Sequence, residues 1–239
     1  ISAAPYAGGL IPTERLRVPA LPFTVVGLDP TAGNWPGMES GTKDMPAVTL
    51  SVSAAPGGAT VSLASVEWHT TNASFIENAL AVRASVVCID GPSDTNGLSI
   101  QEDWSDWDRN VHGAQRRAES ELAAVGVGLF WTTFNTINAF DGASRWVARS
   151  LRIFHDLNAL AQESKPLAVE THPHGAFTFL GGTPLAKKKT SEGRSQRLSI
   201  LARFINRVTP QALPDDDAVD AACAALVGVM FGLGGGRPY

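Results

Sequence analysis

Apolar residues along this chain follow two different periods, and the change falls near residue 70. Before it, Phe23-Thr24-Val25-Val26-Gly27-Leu28 is an apolar run closed by Asp29 and reads as a strand over 23–29. Ala47 to Ser53 and Thr60 to Trp68 alternate apolar and polar positions through Val48, Leu50 and Val52, then Val61 and Leu63. Such alternation predicts strands with one buried face, and the linker Ala54-Ala55-Pro56-Gly57-Gly58 predicts a hairpin between them. The three runs together form a meander. After residue 70, Phe75, Ile76, Ala79, Leu80 and Val82 recur at helical spacing within 72–83. Ser85 to Asp90 is a short continuous apolar run, the pattern of a strand buried on both faces and reached by a crossover helix. Helices are predicted over 109–124 and 143–163. A strand over Leu167 to Thr171, a short helix, and helices over 191–207 and 214–231 follow. The order predicts an α/β fold whose sheet is antiparallel in one half and parallel in the other.

Composition fits one domain, with enough material for a core in one large or two small domains. The 239 residues, 44% hydrophobic and 18% charged, are enough for a sizeable core over 23–239. Residues 1–22, with Pro5, Pro12, Pro19, Pro22, Gly8 and Gly9, read as an irregular extension. Residues from about 94 to 165 read as a helical insertion. No apolar stretch is long enough to span a membrane, and the first residues show no basic region followed by an apolar one. Cys88 and Cys223 sit in apolar runs, which suits reduced, buried thiols, so a cytoplasmic protein is expected. The net charge of −4 provides no global basic field for nucleic acid.

The chemistry lies in where the acids fall. Asp29, Asp90 and Glu170 each come at the end of a predicted strand, and Asp215, Asp216, Asp217 and Asp220 open the last predicted helix. Asp216 and Asp220, or Asp217 and Asp220, share a helical face. Each acid alone has an ordinary reading. Asp29 precedes Pro30 and Asp90 precedes Gly91-Pro92, where acids start turns, and Asp215 to Asp217 suit a helix N-terminus. Asp220 is harder to explain so, because Val219, Ala221 and Ala222 beside it mark a packed surface and carboxylates are seldom buried unless paired or metal-bound. Taken jointly, the acids suggest a carboxylate cage for Mg²⁺ or Mn²⁺, hard cations that prefer carboxylate oxygen and water. Two such ions about 3.5–4 Å apart can stabilise both the attacking and the leaving oxygen of a phosphodiester cleavage.

A second signal is basic. Lys187, Lys188, Lys189, Arg194, Arg197, Arg203 and Arg207 face a single acid, Glu192, over residues 187–207. A lysine-rich loop leading into a helix could bind phosphate, and an ordinary solvated face is the alternative. In Glu170-Thr171-His172-Pro173-His174, His172 is a candidate acid–base group, with Pro173 at the start of a helix as the structural reading. Arg116, Arg117, Glu119 and Glu121 read as an amphipathic helix surface. Trp104, Trp107, Trp131 and Trp146 read mostly as core.

In order, Val25-Val26-Gly27-Leu28-Asp29, Val87-Cys88-Ile89-Asp90-Gly91-Pro92, Val169-Glu170-Thr171-His172-Pro173, Lys188-Lys189-Thr190-Ser191-Glu192-Gly193-Arg194, Arg197-Leu198 and Asp216-Asp217-Ala218-Val219-Asp220-Ala221 make a set. The segment Arg116 to Leu122, followed by Gly126 to Trp131, adds to it. This set resembles an uncharacterised family, domain of unknown function 429, expected to consist of ribonuclease-H-like nucleases. The resemblance spans roughly residues 23 to 231. It implies a ribonuclease-H-like fold, a five-stranded mixed sheet with three antiparallel strands followed by parallel ones, flanked by helices. It also implies Mg²⁺ or Mn²⁺ on Asp29, Asp90 and Asp217 or Asp220, with Asp29 central. Glu170 and His172 match one motif of the family, and Lys189, Arg194 and Arg197 fall in its basic segment, as candidates for substrate phosphate. A metal-dependent nuclease is the leading expectation. A small-molecule phosphotransferase or ATPase of the same fold and a non-catalytic nucleic-acid-binding protein are the alternatives. The phosphotransferase would need glycine-rich phosphate loops, of which Thr31-Ala32-Gly33 and Gly181-Gly182-Thr183 are faint versions.

Overall fold

A computed structural model describes residues 19–30, 44–93, 116–128, 132, 145–161, 163, 165–182 and 185–234. Five strands form one sheet: β1 (Phe23–Leu28), β2 (Met45–Ala55), β3 (Gly58–His69), β4 (Val86–Asp90) and β5 (Leu167–Thr171). Their order is β3-β2-β1-β4-β5. The first three strands pair antiparallel, and β1–β4 and β4–β5 pair parallel. The mixed sheet expected from the apolar pattern is therefore present. Both hairpin strands run a little further than their alternation indicated and turn at Pro56-Gly57.

The helices are α1 (Asn72–Ala81), α2 (Arg117–Ala124), α3 (Arg145–Asn158), α4 (Pro173–Gly181), α5 (Ser191–Ala202) and α6 (Asp216–Gly232). Their starts follow local chemistry. Thr71, Thr190 and Asp215 cap α1, α5 and α6, each accepting a hydrogen bond from the backbone N–H three residues on. The expected helix over 191–207 ends early at Ala202, and the chain continues in turns. The predicted start of the 109–124 helix, residues 1–18 of the N-terminal extension, Thr31-Ala32-Gly33 and Trp104, Trp107 and Trp131 lie outside the described residues.

The sheet separates two apolar layers. On one face Val25, Val86 and Cys88 pack against α6 through Ala221, Ala222, Ala225 and Val229, with Val169 at the margin. On the other, Val26, Leu28, Val87 and Ile89 meet Phe75 and Ala79 of α1 and Ile153, Phe154 and Leu157 of α3, with Ala168 at the margin. Successive residues of a strand point to opposite faces, so this division fixes which face every strand-end side chain takes. Cys88 and Cys223 are both buried free thiols, as expected. No described helix is long and apolar enough to cross a membrane.

Candidate metal centre

Counting along the strands from the apolar layers places the acids. Val25 and Gly27 face α6, so Asp29, two residues on, follows them; Val86 and Cys88 do the same for Asp90. The β1–β4 register pairs Leu28 with Ile89, which sets the next residues, Asp29 and Asp90, side by side at the carboxyl ends of parallel strands. Asp220 enters from the first turns of α6 and is only 4% exposed. One carboxylate oxygen from each of Asp29, Asp90 and Asp220 lies within 4.8 Å of the other two. Of the pair Asp217 and Asp220, Asp220 is the member that joins this group. Asp217 stands in the first turn of α6, half-buried, and its charge acts on Asp29, Asp90 and Asp220 from there.

Three carboxyls crowded together, Asp220 buried and Asp29 and Asp90 half-buried, resist ionisation. Burial raises Asp29 well above the usual carboxylate range, and Asp90, Asp217 and Asp220 push it further against the pull of Lys188. Asp90 is pushed up to about 8, by burial first and then by Asp220, with Lys188 opposing. Asp220 is also raised by burial, while an ion pair with Lys188 Nζ at 2.6 Å works the other way. For Lys188 burial disfavours the charge, but Asp220, with Asp29 and Asp90 behind it, raises its pKa above the ordinary lysine value.

The donor set is all carboxylate oxygen, which fits a hard divalent cation and not the sulfur- and imidazole-rich sets of zinc sites. Asp29, Asp90 and Asp220 could thus hold a metal ion.

The raised carboxyls make a pH prediction. A carboxyl whose pKa is raised by folding leaves the folded chain holding protons that the unfolded chain has lost. Its contribution to stability is complete below an unfolded value of about 4 and is lost as pH rises through about 8. His172, lowered to about 4, has the opposite effect up to its ordinary value of about 6.5. The window free of that opposition is therefore about pH 6.5 to 8. In chelator, the thermal midpoint should fall across it, and Asp90→Asn should flatten the slope. A wild-type midpoint that rises with pH there would show that these carboxyls are not held protonated.

Lys188 is delivered by a braced loop. Arg197 is buried over the Phe177 ring, its guanidinium 5.5 Å from the ring centre, and its Nη1 donates to the Ala186 and Gly193 carbonyls, each at 2.9 Å. Thr190 Oγ1 donates to the Lys187 carbonyl at 2.8 Å and accepts from Gly193 N at 3.0 Å. A side chain at 193 would run into the Lys187 carbonyl, so glycine lets the loop lie on the first turn of α5. Arg194 donates to the Pro210 carbonyl at 3.2 Å and to the Leu213 carbonyl, tying α5 to the segment before α6. Of the basic residues singled out in the sequence, Arg194 and Arg197 thus engage backbone carbonyls and Lys189 is exposed. Lys188, counted in the basic run but not chosen over Lys189 as a site residue, is the lysine that reaches the acids. Three consecutive lysines offered no signal to choose among them.

Glu170 turns away from the acids. It is registered with Ile89, not Asp90, and therefore takes the opposite face of the sheet. There Arg116 holds it through two guanidinium hydrogen bonds of 2.6 Å, and Ser93 donates to it through both N and Oγ at 2.8 Å. Arg116 is 6% exposed, and Glu119 beside it is also buried and accepts from Thr132 Oγ1 at 2.5 Å. The reading of Arg116 and Glu119 as a helix surface is therefore corrected. Periodicity shows which residues could share a helical face, but not that an arginine before the helix will meet a carboxylate from β5.

His172 caps α4, its Nδ1 accepting from Gly175 N at 3.1 Å, and Pro173 fills the first helical position as expected. An Nδ1 that accepts leaves the ring proton on Nε2, and burial followed by the neighbouring His174 lowers its pKa to about 4. His172 is thus a neutral Nε2–H donor. Gly182 adopts the left-handed conformation that closes α4 at its carbonyl end, so this glycine terminates a helix.

The chain matches the family described as "Protein of unknown function (DUF429)" over residues 51–238. The match begins inside β2, later than the motifs of the sequence indicated, and takes in Asp90, Glu170, Lys188 and Asp220 while Asp29 precedes it. Neither a curated protein nor a solved structure gives a match. With most of its 239 residues inside that match, the chain belongs to the DUF429 family.

Proposed function

We propose that this protein is a metal-dependent nuclease of ribonuclease-H-like fold, hydrolysing nucleic-acid phosphodiester bonds by a two-metal mechanism with Mg²⁺ or Mn²⁺. The observation that carries the proposal is the convergence of Asp29, Asp90 and Asp220 at the carboxyl ends of β1 and β4. A sheet of three antiparallel strands followed by two parallel ones, with acids at those ends, supports the same reading. When bound, the cations would supply Lewis-acid stabilisation to the charged oxygens of a phosphodiester.

The chain's own groups have distinct parts. Asp29, Asp90 and Asp220 would hold the cations. Lys188, 2.6 Å from Asp220, brings positive charge beside a substrate phosphate, and exposed Lys189 extends it outward. Arg194 and Arg197 hold that loop in place through backbone carbonyls. Glu170 fixes Arg116 beneath the site, and His172 can offer a proton donor from Nε2.

The test is cleavage of single-stranded, duplex, hybrid and branched substrates with Mg²⁺ or Mn²⁺, alongside ATP. Metal-dependent cleavage of at least one nucleic acid, lost in Asp90→Asn, is the expected result. ATP hydrolysis without cleavage would replace this reading with a phosphotransferase or ATPase, and binding of nucleic acid without turnover would make the protein a binding module.

A further inference from the structure

Asp29 and Asp90 have a third neighbour in the same row. The β4–β5 register pairs Asp90 with Thr171, the last residue of β5. Val169, two residues earlier, packs at the margin of the α6 layer, so Thr171 shares the face taken by Asp29 and Asp90. The carboxyl ends of three adjacent strands thus carry Asp29, one residue past β1, with Asp90 and Thr171, on the sheet face that packs α6.

Thr171 is 6% exposed, and its Oγ1 is buried with no hydrogen-bond partner among the described residues. A buried hydroxyl without a partner is disfavoured against the same group in water, and valine would fill the space without that penalty. The neighbouring strand ends provide no partner, because Glu170 has turned to Arg116 and Ser93 on the opposite face. Among the described residues Asp90 is the register partner of Thr171, so an ion held by Asp29, Asp90 and Asp220 would lie beside this hydroxyl. Mg²⁺ and Mn²⁺ sites built from few carboxylates keep several waters, and those waters need oriented partners.

We propose that Thr171 is a positioning residue of the acid site, its hydroxyl hydrogen-bonding a water in the hydration shell of a divalent cation on Asp29, Asp90 and Asp220. The inference rests on the metal reading above and adds a group that touches the cation only through water. Thr171 therefore sets the orientation of the hydration shell and contributes to ion affinity without supplying charge.

The experiment is calorimetric titration of Mn²⁺ alone into the wild type, Thr171→Val and Thr171→Ser, with thermal midpoints in chelator. Thr171→Val should lose roughly tenfold in Mn²⁺ affinity, the range typical of groups that orient metal ligands. Its midpoint in chelator should equal or exceed that of the wild type. Thr171→Ser, which keeps the hydroxyl and removes the methyl, should bind Mn²⁺ like the wild type. Equal Mn²⁺ affinity in Thr171→Val and the wild type would overturn the role given to Thr171 and leave the metal reading standing. Equal losses in Thr171→Val and Thr171→Ser would overturn it too, by tracing the effect to packing. No Mn²⁺ binding by the wild type would remove the metal reading and this inference together.

Discussion

Asp29→Asn should lower Mn²⁺ affinity by at least about 100-fold, since changes to groups that merely orient metal ligands already cost roughly 10–100-fold. The same substitution should stabilise the protein in chelator. Asp29, Asp90 and Asp220 sit with oxygens within 4.8 Å of one another, and among the described residues Lys188 is paired directly with Asp220. Like charges about 4 Å apart repel by roughly 4 kcal/mol at a dielectric typical of protein sites, an upper figure here because the carboxyls hold protons to avoid it. Removing one of them should yield a gain of about 1 kcal/mol, or roughly 2–4 °C in the midpoint of a chain this size. Opposite movement of affinity and stability is the signature of a binding site, because a group present only for structure would lose both. Calorimetry with Mn²⁺ and a melting curve in chelator measure the two effects. Retained affinity, or a lowered midpoint, would show that Asp29 is there for the fold.

Gly27→Ala should be the most damaging small substitution in the sheet. A Cβ at 27 would collide with the Ala221 carbonyl and with the N and Cβ of Ala225, which leaves α6 no side-chain rotation by which to yield. The helix would have to lift from β1, and the α6 layer, with Ala221, Ala222, Ala225 and Val229, would open along it. Overpacking of this kind costs about 3 kcal/mol or more, which corresponds to roughly 6–12 °C in midpoint. Because Ala221 adjoins Asp220, the same displacement should draw Asp220 from Asp29 and Asp90 and weaken Mn²⁺ binding even where the variant is fully folded. Urea unfolding gives the first effect and titration of the folded variant the second. A loss below about 0.5 kcal/mol, the range of ordinary surface changes, would mean that α6 can shift freely.

Much of the scaffold was legible because its signals are local. Alternation gave β2 and β3, the apolar run ending in Asp90 gave β4, and Asp215 and Pro173 marked helix starts by chemistry confined to a single turn. Asp29 and Asp90 could be named for the same reason, as polar residues closing apolar strands. What was hidden depends on register. Glu170 and Thr171 are adjacent in sequence and lie on opposite faces, so an error of one position exchanges an acid for a hydroxyl. Lys188 differs from Lys187 and Lys189 only in where the loop on α5 points it. Arg116 finds Glu170 across 54 residues of chain, a pairing that no periodicity encodes.

The crowding of Asp29, Asp90 and Asp220 also turns the protein into its own indicator. Any ion that binds the folded chain and ignores the unfolded one adds RT ln(1 + [L]/Kd) to stability, about 2.7 kcal/mol at one hundred times Kd. Melting curves recorded across a panel of divalent cations would therefore rank the ions by affinity before any substrate is known. How narrow the gap is between Mn²⁺ and the intrinsically tighter-binding Cu²⁺ and Zn²⁺ would further show how far an all-oxygen donor set disfavours softer metals. The heat that a fold with three acids within 4.8 Å of one another withstands would then report which of the added cations, if any, they take up.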